Sequence, residues 1–418
     1  MDFTFIHAAD LHIDSPLAAL GRKNADAAEL FAQASRRAVQ ALIEECLSSN
    51  AAFLIIAGDV FDGDWPDMAT GLFLVRELGR LERAGIPVFM IRGNHDAESR
   101  VSKSLPWPAN VREFSTRKAE THLLEKFNIA LHGRSFADRR VDGDFVASYP
   151  ARRAGMLNIG ILHTSLDGRP GHDPYAPCSV QTLQNFGYDY WALGHIHAGE
   201  IVARDPWIVY PGNLQGRSVR ETGAKGAVRV EVSDGRIVAA QHIALDSARW
   251  THEEIDISGC ESEEDVQALL QDRLAQAYAD GGDRPLAARI TLTGQSALHD
   301  GLVAGASRFE AEAQAIAARV SVDCWLERVR LKTTTRKRTA PDNLEIKSFD
   351  IEGLLGDAAA DPAMAHAIAA LSQDIRNKFP RDLLDRANEF LPADDAAAHT
   401  LANDAQHYLL GSLDGRRA

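Results

Sequence analysis

The chain is poor in cysteine and short of positive charge. Four cysteines occur in 418 residues, Cys46, Cys178, Cys260 and Cys324, and no two of them form a C-x-x-C pair. That spacing excludes a zinc ribbon and a disulfide framework and fits a reducing compartment. Lys and Arg number 45 against 59 Asp and Glu, a formal net charge of −14. A general nucleic-acid coat protein is thereby excluded, because such binding depends on neutralising phosphates with cations. Local basic clusters remain at Arg134, Arg139, Arg140, Arg152 and Arg153, at Arg217, Arg220 and Lys225, and from Arg328 to Arg338. Each is either a solvated loop or part of a local DNA track. No segment approaches the roughly 18 apolar residues of a membrane span, and the opening MDFTFIHAAD lacks the basic-then-apolar layout of a signal peptide. A cytoplasmic protein with no membrane association is expected. A G-x-x-x-x-G-K-[ST] run is also missing, so any ATP motor belongs to another polypeptide.

What is present is a chain long enough for two or three domains. Short apolar runs alternate with helical patterns through the first half, as in strands joined by crossover helices. Strands are expected at Phe3 to Ala9, Phe53 to Ala57, Ile86 to Ile91, Ile129 to His132, Leu157 to His163, Tyr190 to Leu193, Val228 to Val232 and Ile237 to Ile243. Helices are expected at Ala27 to Ser49 and Met68 to Ala84. This α/β domain is bounded at 1–246. A small α+β accessory domain is expected over 247–338, with strands at Glu253 to Ile257, Ala287 to Leu292 and Cys324 to Leu331 and helices at Glu263 to Ala279 and Phe309 to Arg319. Residues 339–418 are Ala-rich, with apolar residues from Met364 through Phe379, Leu383, Leu384 and Phe390 at helical spacing. They form a helical tail that either packs back or binds a partner.

Five short motifs fall where expected strands end: Asp10-Leu11-His12, Gly58-Asp59-Val60-Phe61-Asp62, Gly93-Asn94-His95-Asp96, His163 and Gly194-His195-Ile196-His197. Loops at strand ends converge on one crevice in open α/β sheets. The donors are carboxylates, an amide and imidazoles without thiolate, a mixture that suits Mn²⁺, Fe or Zn²⁺ better than a closed structural zinc site. In an extended segment residues i and i+2 point the same way, so Asp10 with His12 and His195 with His197 each present two donors to one side. The glycines allow tight turns and close backbone approach. Seven donors serve two ions only if one bridges them, and Asp59, with two carboxylate oxygens, is the natural bridge between ions about 3.5–4 Å apart. Phosphoryl transfer is the chemistry that most needs such a pair.

The ordered set D-x-H, G-D-x-x-D, G-N-H-D, H, G-H-x-H resembles the calcineurin-like metallophosphoesterase family over residues 10 to 197. The resemblance implies a two-sheet sandwich flanked by helices. It implies that Asp10, His12, Asp59 and His197 hold one ion and that Asp59, Asn94, His163 and His195 hold the other, with Mn²⁺ expected and Fe or Zn²⁺ as alternatives. It also implies that His95 contacts the scissile phosphate and gives the leaving oxygen its proton. Asp62 resembles the acidic residue that orients this histidine, a part Asp96 could play instead. Within the family, the opening Phe-Ile-His-Ala-Ala-Asp-Leu-His, His163-Thr164-Ser165, Tyr175-Ala176-Pro177-Cys178, the run from Tyr188 to His197 and Tyr210-Pro211-Gly212-Asn213-Leu214-Gln215-Gly216-Arg217 resemble the DNA-repair exonuclease branch of SbcD- and YhaO-like nuclease subunits. That branch implies DNA as substrate and an SbcC-like coiled-coil ATPase as partner; a homodimer is left open. Asp62 stands where the best-known exonucleases of the branch often carry histidine, and Ala9 where many have serine.

The alternative is a small-molecule or cyclic-nucleotide phosphodiesterase on the same dinuclear site, which needs neither basic track nor partner. A protein phosphatase fits less well, because Gly63 and Asp64 follow Asp62 where that group resembles D-R-G. A noncatalytic scaffold does not account for His95. His7 reads as a satisfied core histidine or as support for the site. His172, on a polar loop, is a candidate substrate contact. Trp65, Trp107 and Trp207 are packing residues or base-stacking platforms. His122, His132, His242, His252, His299, His366, His399 and His407 match no motif.

Overall fold

A computed structural model describes residues 2–15, 25–62, 68–98, 105–138, 145–166, 178–335, 351–378, 391–392 and 394–414. The first strands are β1 (Phe3–Ala8), β2 (Leu54–Ala57) and β3 (Val88–Ile91), and the helices α1 (Ala25–Ala32), α2 (Ala34–Ser48) and α3 (Ala69–Arg83) alternate with them. Side chains alternate across these strands with period 2. Ile6, Ala8, Leu54, Ile56, Val88 and Met90 pack with Val39, Leu42, Leu74 and Leu78 of the helices. Phe5, Phe53, Ile55, Phe89 and Ile91 face the other way, into a core shared with a second sheet. With both faces covered, each strand is a continuous apolar run.

The first sheet adds β4 (Val111–Glu113), β11 (Gly226–Ser233) and β12 (Arg236–Ala244), in the order β12-β11-β1-β2-β3-β4. From β1 to β4 the pairing is parallel, and β11 returns antiparallel to β1. The second sheet contains β5 (Glu120–Leu124), β6 (Ile129–Gly133), β7 (Leu157–His163), β8 (Tyr190–Gly194), β9 (Glu200–Arg204) and β10 (Trp207–Tyr210), in the order β5-β6-β7-β8-β10-β9. Its four central strands are parallel and its two edges antiparallel. Its outer face buries Trp191, Leu193 and Ile208 with Leu183 of the short helix α5 (Val180–Asn185). The result is the expected two-sheet α/β sandwich flanked by helices.

Several elements differ from expectation. The helix expected from Ala27 to Ser49 is two helices meeting at Gln33. Strands β4, β5, β9 and β10 were not anticipated, because they are three to five residues long and β5 and β9 bury no residue fully, which leaves no alternation to read.

Contacts divide the chain into two compact units, Met1–Thr251 with Ala277–Ala287, and His252–Gln276 with Ala288–Ala418. A third sheet joins β13 (Arg249–Asp256), β14 (Leu286–Ser296) and β15 (Cys324–Thr335) in that order. The helices are α6 (Glu263–Asp280), α7 (His299–Ala304) and α8 (Ala306–Val320). The tail is helical, as α9 (Ile351–Ala360), α10 (Pro362–Lys378) and a last helix, Asp395–Asp414. The expected apolar positions Phe379, Leu383, Leu384 and Phe390 lie outside the described residues. Among the described residues no helix is long and apolar enough to cross a membrane, and all four cysteines are free.

Candidate metal centre

Five parallel strands deliver the donors to one edge of the sandwich. Asp10 and His12 follow β1, Asp59 follows β2, and Asn94 follows β3 as the first residue of the short helix α4 (Asn94–Glu98). From the second sheet, His163 is the last residue of β7 and His195 follows β8. The two sheets are tied where the donors sit. The His195 amide donates to both oxygens of Asp10 at 3.1 and 2.9 Å, and His163 Nδ1 donates to the Ala57 carbonyl at 2.9 Å. That approach requires glycine: a Cβ on Gly194 would lie 2.0 Å from the Ala57 oxygen, and one on Gly93 would lie 2.2 Å from Asp59 Oδ1.

The side chains converge for a reason other than extended backbone. Asp10, His12, Asp59 and His195 hold φ of 51°, 39°, 51° and 95°, a left-handed region that residues with a Cβ occupy at a cost. Asp10 and His12 do meet in one group, together with His197, but His195 joins Asp59 and His163 in another. His195 and His197 therefore face neighbouring positions rather than one side. His12 Nε2 and His197 Nε2 are 3.3 Å apart, and His197 Nε2 is 3.8 Å from Asp10 Oδ1. In the other group His163 Nε2 is 3.3 Å from Asp59 Oδ2 and 3.0 Å from Asn94 Oδ1. Asp59 Oδ2 also lies 3.9 Å from His12 Nε2, so one carboxylate oxygen reaches both groups.

The residues fit two hard or borderline cations. His163 spends Nδ1–H on Ala57 O, and His197 spends Nδ1–H on Glu221 Oε1 at 2.7 Å. In that orientation each ring can turn the Nε2 lone pair to an ion; without one, burial opposes the charge on His163 but Asp59 raises its pKa to about 9, so a cation there would displace a proton. Burial opposes the charge on Asp59, but His163, His12 and His95 around it hold the carboxylate below its usual range.

His95 stands at the rim. Its Nδ1 is 2.9 Å from Asp62 Oδ1, with side chains 31% and 22% exposed respectively, and its amide donates to Asp59 Oδ1 at 3.0 Å. The bond to Asp62 raises the His95 pKa above its ordinary value, while His12, whose Nδ1 lies 3.7 Å from Asp62 Oδ1, and the hydrogen bond from His95 hold Asp62 well below the usual carboxylate range. Asp96 does other work: it accepts from the amides of Val60, Phe61 and Gly93 at 3.1, 2.9 and 3.0 Å and so fixes the second and third motif loops to each other.

The shared crevice, the two donor groups and the adjacent histidine–carboxylate pair can be set beside known proteins. Residues 3–199 match the calcineurin-like phosphoesterase family model. The chain is 33% identical over 297 residues, 70% of its length and 72% of the relative's, to "Uncharacterized metallophosphoesterase YhaO" of Bacillus subtilis (strain 168). The chain belongs to the calcineurin-like metallophosphoesterase family. Residues 250–334 match a second model, the middle domain of metallophosphoesterase YhaO. As a metallophosphoesterase it is a hydrolase of phosphoesters using a dinuclear metal site.

Two residues of the metallophosphoesterase site escaped sequence reasoning. Glu221 accepts from His197, and although burial opposes its charge, that bond and Arg217 hold its pKa down to about 2. Arg217, noted only as part of a basic cluster and a closing motif, lies 3.3 Å from Asp62 Oδ2 and 3.4 Å from Glu221 Oε1. The signal for Glu221 was its place four residues after Arg217 in a loop that returns to the fifth motif. His7 takes the core reading: Nε2 donates to Leu193 O at 3.1 Å and Nδ1 accepts from Tyr190 Oη at 3.0 Å. Trp107 and Trp207 pack against the two cores. His299, Asp300 and His407 form a further cluster, in which His407 Nδ1 is 2.7 Å from Asp300 Oδ1 and His299 Nδ1 is 2.8 Å from Thr333 Oγ1. His172 and Trp65 lie outside the described residues.

Proposed function

We propose that the protein is a metal-dependent DNA nuclease, acting as an exonuclease in DNA repair, that hydrolyses phosphodiester bonds with Mn²⁺ at the dinuclear site. Asp10, His12, Asp59 and His197 would hold one ion and Asp59, Asn94, His163 and His195 the other. When bound, the ions would polarise the phosphoryl oxygens and lower the pKa of the attacking water. The observation that carries the reading is the placement of His95: hydrogen-bonded through Nδ1 to Asp62, raised in pKa, and exposed at the rim of both donor groups. Asp62 fixes the ring so that Nε2 faces substrate, and the protonated ring gives its proton to the departing oxygen. Arg217, paired with Asp62 and Glu221, would stand beside this pair as a cation for the phosphoryl oxygens. Glu221 keeps His197 in its Nε2-presenting tautomer. The partially exposed rim suits a polymer that cannot be swallowed whole. The tail helices would engage an SbcC-like coiled-coil ATPase.

The test is degradation of linear and closed-circular duplex DNA in Mn²⁺, with Asp59→Asn as the inactive control and bis-p-nitrophenyl phosphate as a generic diester. Loss of linear DNA that depends on Asp59 supports the nuclease. Hydrolysis of the generic diester with DNA untouched, even after addition of the ATPase, moves the substrate to small diesters.

A further inference from the structure

Beside the donor groups, the first unit carries a basic cleft of about 600 Å³ to which the chemistry above assigns no part. Helix α2 contributes Arg36 and Arg37, α3 contributes Phe73 and Arg76, and the loop after β1 contributes Asp14 and Ser15. The cleft shares a wall with the reaction centre. Asp14 follows His12 by two residues; Ser15 Oγ donates to Asp62 Oδ2 at 2.6 Å, and the other oxygen of Asp62 holds His95.

Among the described residues that line the cleft the charge balance is positive. Asp14, the carboxylate in its lining, is taken up by Arg36 Nε at 2.8 Å and by Thr70 Oγ1. That leaves Arg37 and Arg76, both exposed. Among the described residues neither is ion-paired with a carboxylate; Arg37 Nη2 donates to the neutral Gln33 amide oxygen at 3.3 Å. The Phe73 ring orients this side of the cleft, with the guanidinium carbons of Arg36 and Arg76 5.2 and 5.8 Å from its centroid. In a chain of net charge −14, a polyanion finds favourable potential only where cations locally outnumber carboxylates. Guanidinium groups present paired donors that match phosphate oxygens, and the volume lies in the range of pre-formed ligand sites.

We propose that the Arg37–Arg76 cleft is a subsite for a non-scissile phosphate of the substrate strand, next to the scissile phosphate held at His95. The proposal rests on the phosphodiesterase reading above and assigns that site a substrate class: strands carrying at least one phosphate beyond the one cleaved.

The test uses the full chain with Mn²⁺ and p-nitrophenyl esters of thymidylate, in both the 5′ and 3′ series. Each ester is compared with the same ester lengthened by two phosphate-linked thymidines and with one lengthened through uncharged methylphosphonates. The wild-type protein is expected to prefer the phosphate-extended ester in one series by about tenfold in kcat/KM, expressed in KM, the scale of one charge-assisted hydrogen bond. The methylphosphonate ester should lose that preference. Arg37→Gln/Arg76→Gln should abolish the ratio, and Arg37→Lys/Arg76→Lys should restore part of it. Both side chains are exposed, so the fold is not at stake, and circular dichroism verifies this. If the short ester is hydrolysed but added phosphates bring no preference in either series, or the preference survives in the Gln variant, the subsite is refuted while the phosphodiesterase stands. If no ester is hydrolysed, the phosphodiesterase reading falls and the subsite with it.

Discussion

At the scale of single residues, His95 and Asp62 separate the chemistry from the scaffold. Neither is among the seven expected ligands, so His95→Ala should retain two metal equivalents by elemental analysis and lose about 10²- to 10⁴-fold in kcat, the usual worth of a positioned acid. Retention of the wild-type rate would remove His95 from the reaction. Asp62 acts through His95. Its carboxylate raises the His95 pKa, so the proton donor persists to higher pH than it would without that carboxylate. Asp62→Asn removes that support and should move the basic limb of the kcat pH profile to lower pH; an unmoved limb would assign it to another group. The convergence of the motif residues on one crevice was legible in the sequence because polar residues on short loops at strand ends leave dense, ordered motifs. Their left-handed backbone was not, since nothing in Asp10-Leu11-His12 announces φ of 51° and 39°. Neither was the division of labour between Asp62 and Asp96, which depends on which carboxylate meets amides and which meets a ring.

At the scale of elements, the site depends on how closely β2 approaches β7 and β8. Gly194→Ala would press a Cβ to 2.0 Å from the Ala57 carbonyl. Such overpacking costs typically ~1–3 kcal/mol, which a urea melt would register, and it would displace the following His195 and weaken metal binding. A melt indistinguishable from wild type would show that the strands can part there without cost. Between β1 and β8, His7 supplies a second, pH-dependent joint. Burial lowers its pKa to about 3, because a charged imidazole in the core has no water around it. The unfolded chain therefore binds a proton that the native protein refuses between pH 6.5 and about 3. The His7 contribution is complete above pH 6.5 and is lost as pH falls through this window, by up to ~1.4 kcal/mol per pH unit. Unfolding free energies measured at several pH values should show a shallower acid slope for His7→Gln than for wild type; parallel slopes would refute the assignment. Parallel central strands were readable as apolar runs, whereas β5 and β9, half exposed at the sheet edges, carried no such signature.

At the scale of the whole molecule, all seven expected ligands lie in the unit formed by Met1–Thr251 and Ala277–Ala287. Ligand binding stabilises what it binds by mass action, and a chain of two units need not unfold in one step. Calorimetry before and after stripping with EDTA should therefore show the transition of this unit fall in midpoint by more than that of the other. Equal shifts would mean that the two unfold as one. The strand–helix pattern of the sequence restarts near Trp250, whereas residues 277–287 return to the first unit from within α6 and into β14, and no local pattern records such a return.

The clasp between the His195 amide and both oxygens of Asp10 carries a consequence for how the enzyme is supplied. A carboxylate seated by an amide of the opposite sheet is held in place by the protein's own backbone as well as by whatever ion it binds. Metal uptake would then be a binding event with no folding step attached, and the circular dichroism spectrum should be the same before and after loading.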